Sequence, residues 1–147
     1  ALMNRAMLVT VLHRLGGELS IGGISSFSDV ATAAYYAAAV AWAENFGIVT
    51  GVGGGLFAPN AEITRQDLAV MLLNYANKAG LTLPNIREYS GFADADRISS
   101  YALLAVEALY EAGIINGKGA GAFDPRGAAT RAEVAAMLHR FVVAIRP

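Results

Sequence analysis

The sequence predicts an all-α fold assembled from tandem copies of one helix–loop–helix unit. Three observations carry this. Blocks of sequence recur in one order, apolar residues repeat at the spacing of one helix face, and no stretch alternates as a strand would. Composition agrees, because 55% of the 147 residues are apolar, many of them alanine, against 16% charged residues and four prolines. That balance favours closely packed helices over a disordered tail or a strand-rich sandwich, in a chain long enough to bury a core.

The blocks are explicit. Phe27-Ser28-Asp29-Val30 matches Phe92-Ala93-Asp94-Ala95, and Gly47-Ile48-Val49-Thr50-Gly51 matches Gly113-Ile114-Ile115-Asn116-Gly117. Phe57-Ala58-Pro59 matches Phe123-Asp124-Pro125, and Thr64-Arg65-Gln66-Asp67 matches Thr130-Arg131-Ala132-Glu133. Three arginines open equivalent apolar stripes at +3, +6, +7 and +10. From Arg5 these are Leu8, Val11, Leu12 and Leu15; from Arg65, Leu68, Met71, Leu72 and Tyr75; from Arg131, Val134, Met137, Leu138 and Phe141. The first unit therefore begins where its long helix begins.

Taken in order, Asn4 can cap the first long helix, although Met7 cannot complete a capping box. A connector from Gly16 to Ser26 leads to a short helix predicted over Ala33 to Phe46, with Gly47 as its left-handed stop. The glycine loop Gly51 to Pro59 then turns the chain into a long helix capped by Thr64, with Asp67 three residues later. The connector Ala79 to Gly91, a short helix over Ser100 to Ala112, Gly113, the loop Gly117 to Pro125, and the Thr130/Glu133 start repeat this plan. Two arrangements suit three such stripes. A pseudo-threefold three-helix bundle buries all twelve residues, whereas a linear solenoid leaves the terminal stripes half exposed without a polar capping unit, so the bundle is expected.

The order Phe-x-Asp, Ala-Val, Gly-Ile-x-x-Gly, glycine loop, Phe-x-Pro, Thr-Arg-x-Asp/Glu resembles the S-layer homology repeat over nearly the whole chain. The resemblance implies the back half of a first repeat at 1–22, a second repeat at 23–86 and a third at 87–147, together one S-layer homology domain. It also implies a non-catalytic module of a bacterial surface protein, in the cell wall or S-layer. Such a module holds secondary cell-wall polysaccharide, commonly one with pyruvylated sugars. The alternative is a structural module that packs against protein subunits of a surface layer.

The residues can be asked whether they suit that ligand. Arg5, Arg65 and Arg131 stand in the first turn of a long helix, beside the N-caps Thr64 and Thr130 in the two complete units. Free N–H groups, the helix dipole and an arginine fork can together hold a carboxylate there, as a pyruvyl ketal would present. Equally, each arginine can pair with an acid or cap a neighbouring carbonyl. Gly53, Gly55, Gly117, Gly119 and Gly121 can bring backbone close to a sugar, or can simply satisfy a tight loop. Lys118 adds a charge to one loop where Val52 adds none, so the two sites are expected to be unequal. Tyr35 and Tyr101 occupy the place where the family often has an aromatic near the groove. Phe27, Phe92, Phe57 and Phe123 read as core, Trp42 as core before a sugar-stacking platform, and Asp29 and Asp94 as caps of the loop or short helix before direct ligands.

Other classes have little support. The net charge of −1 offers no basic stripe for nucleic acid, and Ala33 to Ala43, the longest apolar stretch, is too short to span a membrane. With no cysteine there is neither disulfide nor thiolate metal site, and Asp94-Ala95-Asp96 lacks the later ligands of a calcium loop. No catalytic residue, metal or cofactor is expected: His13 and His139 are repeat-equivalent, and the glycine loops lack a GK[ST] ending. The front half of the first repeat is absent and position 4 is Asn rather than Thr, which makes the Arg5 groove the least complete expected. A chain opening inside a repeat is expected to be a truncated piece, a proteolytic product or a unit completed by another chain, with apolar surface open to association.

Overall fold

The computed structural model describes residues 1–18 and 24–146, so part of the first connector lies outside the described residues. Five α-helices are found there: α1 (Arg5–Leu15), α2 (Ala37–Asn45), α3 (Arg65–Lys78), α4 (Leu103–Glu111) and α5 (Arg131–Ala144). No strand is present among the described residues, only isolated bridges.

The long helices α1, α3 and α5 start where their caps are. Asn4 accepts the Met7 N–H at 2.8 Å, Thr64 that of Asp67 at 3.2 Å, and Thr130 that of Glu133 at 3.0 Å. Each such cap contributes about 1 kcal/mol. Glu133 returns the bond by accepting the Thr130 N–H, completing a capping box at α5. Asp67 instead accepts from the Tyr101 hydroxyl at 2.6 Å.

The short helices are shorter than the sequence suggests. Ala34 and Ala37 donate to carbonyls three residues back, so Ala31 to Tyr36 form turns, and Ser100–Ala102 is a 3₁₀ turn ahead of α4. The cause is the absence of a capping side chain: Tyr36 and Ala102 make no side-chain cap bond, and alanine propensity alone does not satisfy a first turn. Their C-termini behave as expected. Gly47 and Gly113 stand at φ 79° and 77°, and the following Ile48 and Ile114 N–H groups reach back to Ala43 and Leu109.

Two compact units divide the chain, Met3–Ile63 and Ala1–Leu2 with Thr64–Pro147. In the first, α1 packs on α2; in the second, α3 packs on α4. Each of these long helices therefore covers the short helix of the following repeat. Leu8, Leu12, Val40 and Trp42 are buried in one unit, and Leu68, Leu72, Val106, Leu109 and Ile114 in the other. Each such leucine contributes about 2 kcal/mol. Trp42 is 2% exposed and lies against His13, with ring centroids 5.1 Å apart, as a core residue should. Of the twelve stripe residues, Val11 and Leu138 are half-buried and Leu15 is exposed, while the rest are buried.

Three bridges are repeat-equivalent: Asn4 with Glu62, Thr64 with Ala128, and Thr130 with Leu2. Beside them the N–H groups of Arg5, Arg65 and Arg131 donate to Ala61, Gly127 and Ala1, each at 2.9 Å. Every long helix thus begins on a short backbone clamp. No helix among the described residues is long and apolar enough to cross a membrane.

Candidate functional site

The loop after each short helix is shaped by an aspartate and held by an arginine. Asp29 accepts the Phe57 and Ala58 N–H groups at 2.9 and 2.8 Å, and Asp94 those of Phe123 and Asp124 at 2.8 Å each. These bonds fix Ala58 and Asp124, non-glycine residues at φ 58° and 59°. They also hold both aspartates below the usual carboxylate range: for Asp29 the Phe57 N–H is the main cause, and for Asp94 burial opposes the two N–H donors and loses. The turn itself needs glycine, since a Cβ on Gly51 or Gly117 would lie 2.6 or 2.7 Å from the carbonyl of Leu56 or Ala122.

Arg5 and Arg65 each lie over the ring of the loop phenylalanine, 4.9 Å from Phe57 and 5.0 Å from Phe123. Their Nε donates to that residue's carbonyl, at 2.9 and 2.7 Å respectively. Arg5 and Arg65 are 6% and 2% exposed. Arg5, whose groove was expected to be the least complete, thus meets the loop of the repeat after its own, as Arg65 does. Arg131 is exposed at the start of α5.

Around Arg65 the network goes further. Nη2 donates to the Asn116 carbonyl at 3.1 Å, and Nη1 pairs with the Glu133 carboxylate, which also lies 3.9 Å from Lys118 Nζ. Burial lowers the Arg65 pKa, opposed by Glu133, Asp124 and Asp94. Burial likewise pushes Glu133 up, but the Thr130 N–H, Arg65 and Lys118 bring it below its ordinary value. Lys118 remains 45% exposed, the solvent-facing cation of this cluster.

This geometry alters the expected chemistry of the helix start. The N–H groups there are not open to an anion: Arg65 donates to Gly127, Gln66 to Pro125 and Asp67 to Thr64, and α1 repeats the pattern with Ala61, Pro59 and Asn4. Thr64 and Thr130 spend their hydroxyl oxygens as caps. The structure brings Arg65, Lys118, Thr130 and the loop of Gly117, Gly119 and Gly121 into one unit. Arg5 joins the loop of Gly53 and Gly55 in the other, where both glycines are exposed. Tyr101, 61% exposed, bonds Asp67 and Gln66 at the start of α3. Tyr35, 69% exposed, meets only its neighbour Tyr36 edge-on among the contacts described.

One group escaped the sequence reading. Arg87, Tyr89 and Tyr110 line a cleft of about 340 Å³ against the third-repeat glycine loop. Self-comparison passes over them because their counterparts are Gly22, Ile24 and Glu44.

Comparison with known proteins places this architecture. The S-layer homology domain model matches residues 26–69 and 91–135. An exoglucanase XynX of Acetivibrio thermocellus is 37% identical over 77% of the chain, and an amylopullulanase of Thermoanaerobacterium thermosulfurigenes 36% over 93%. The surface-layer 125 kDa protein of Lysinibacillus sphaericus is 30% identical over 85%. The matched chain spans only 10%, 7% and 10% of these three proteins. Two matched repeats, with the Phe-x-Asp clamp and the Thr-Arg start in both, mean that the chain belongs to the S-layer homology domain family, whose place is the cell wall or surface layer of bacteria.

Proposed function

We propose that the chain is a non-catalytic anchoring module that binds secondary cell-wall polysaccharide through the carboxylates of pyruvylated sugars, and so holds a surface protein on the bacterial envelope. The observation carrying this is the glycine loop clamped by Asp94 and Arg65, with exposed Lys118 at its edge. Arg65, Arg5, Thr64 and Thr130 act here as the frame that presents loop backbone, while Lys118 and exposed Arg131 supply the charge for the ligand. Gly53, Gly55, Gly117, Gly119 and Gly121 allow close approach of a sugar, and Tyr35 and Tyr101 offer exposed rings.

Co-sedimentation with purified wall polymer tests the reading. Binding should fall when the pyruvyl groups are removed and when Lys118 is replaced by alanine; equal binding to both polymers would sink the carboxylate mechanism.

A second reading, assembly with surface-layer protein subunits, is favoured by the exposed Leu103 and Leu104 at the start of α4, the latter 77% exposed. Wall preparations stripped of polymer separate the two, since only a protein-binding module would remain attached.

A further inference from the structure

The cleft beside the third-repeat loop has a chemistry that the repeat itself does not require. Arg87 comes from the connector, and its Cζ lies 3.8 Å from the centroid of the Tyr110 ring. Nε donates to the Tyr110 carbonyl at 2.6 Å, and Nη2 to the Ile115 carbonyl and Asn116 Oδ1 at 2.6 and 2.9 Å. Among the described residues, Nη1 has no hydrogen-bond partner and no carboxylate pairs with the guanidinium. A half-buried cation held by neutral carbonyls and a ring face, lining an open cleft, leaves an uncompensated charge and one free edge of a planar fork.

The other walls suit a sugar. Tyr89 packs against Phe92 and Tyr110 with centroids 5.6 and 5.5 Å apart, which makes an aromatic side to the cleft. Facing it are Gly119 and Gly121, whose N–H groups make no hydrogen bond among the described residues. The volume of about 340 Å³ lies at the small end of ligand sites and fits one ring rather than a run of chain.

The second repeat joins its connector to its short helix by opposite means. There Glu44 at the helix end accepts the Ser26 N–H and hydroxyl, and the sequence offers Gly22, Ile24 and Thr50 where the third has Arg87, Tyr89 and Asn116. The fold can thus tether this junction with an acid and a serine. Arginine and the aromatic pair are particular to one copy.

We propose that this cleft is a binding site for a single anionic sugar residue, its carboxylate or phosphate on Arg87 Nη1 and its ring against Tyr89 and the Gly119–Gly121 backbone. The proposal rests on reading the chain as a wall-polysaccharide binder, and assigns one repeat a subsite that its neighbour lacks.

An ¹⁵N NMR titration of the 147-residue chain tests it, using methyl glucuronide, glucose 6-phosphate and neutral methyl glucoside as probes. The amides of Tyr89, Gly91, Gly117 and Gly119 should shift with one or both anionic probes, and the stronger identifies the anion. Any shifts at Gly51, Gly53 and Gly55 should be the same in the Ser90→Glu and Arg87→Gln variants as in the parent chain. Ser90→Glu puts an opposing charge at the cleft while leaving every Arg87 bond intact; it should weaken binding at least tenfold with an unchanged melting temperature. Arg87→Gln should abolish the shifts.

Equal shifts with the neutral glucoside, no shifts at these amides, or full binding by Ser90→Glu would overturn the proposal. Polymer co-sedimentation run alongside keeps the two readings apart. A chain that sediments with polymer but shows no cleft shifts loses only this subsite, whereas one that shifts but does not sediment loses the anchoring role.

Discussion

The second- and third-repeat loops are built on the same frame and differ at their edges. Both have an aspartate on two consecutive N–H groups, a buried phenylalanine, and an arginine lying over that ring and bonding its carbonyl. At the edges, Val52 becomes Lys118, and the Glu44–Ser26 tether becomes Arg87 on Tyr110. The frame is a requirement of folding, because its bonds go to backbone and leave no buried polar side chain without a partner among the described residues. Ligand preference is free to reside in the edges.

The sharpest way to break the comparison is to remove the frame on one side. Arg65→Ala removes the donor to the Phe123 and Asn116 carbonyls and the cation paired with Glu133, and should cost about 3 kcal/mol, or roughly 10 °C in melting temperature. Arg131→Ala, at an exposed position, should change stability by less than about 0.5 kcal/mol in the same calorimetric scan. Equal losses would mean that the arginines do not divide into frame and surface. Next in size is Asp94→Asn, which forfeits one of two charge-assisted acceptors and should cost about 2 kcal/mol by urea unfolding.

The same clamp sets the response to acid. Asp29, Asp94 and Glu133 have folded pKa values below their ordinary ones, so the unfolded chain binds more protons as pH falls. Their stabilisation is complete above the unfolded values, about 4 to 4.5, and is lost as pH drops through the folded ones. The melting temperature should be flat from pH 7 to 5 and fall below about pH 4, less steeply in Asp94→Asn. The smallest effect belongs to the edges. Lys118→Ala should leave melting unchanged and weaken polymer binding a few-fold, and Val52→Lys should strengthen it, both by co-sedimentation.

Much of the fold was legible because its signals are local. Asn4, Thr64 and Thr130 stand beside the helices they cap, and Gly47 and Gly113 directly follow those they end. The starts of α2 and α4 were read too early, since alanine-rich runs look helical whether or not a side chain closes the first turn. The site was legible in its parts but not in its partnerships. Arg5 reaches a carbonyl 52 residues away and Arg65 one 58 away, each across the next short helix. Reading each unit as self-sufficient left the helix-start N–H groups looking free. Arg87 was hidden for the opposite reason: nothing in the other copy matches it.

Arg5 and Arg65 hold a backbone carbonyl and a phenylalanine ring, so their grip on the loop makes no direct bond to the side chains at positions 52 to 55 or 118 to 121. Recombination between arrays of this kind would join an arginine from one parent to a loop from another, and the junction would still close. New loop tips could then be sampled without renegotiating the scaffold, so that specificity is inherited one tip at a time while the helices between stay interchangeable.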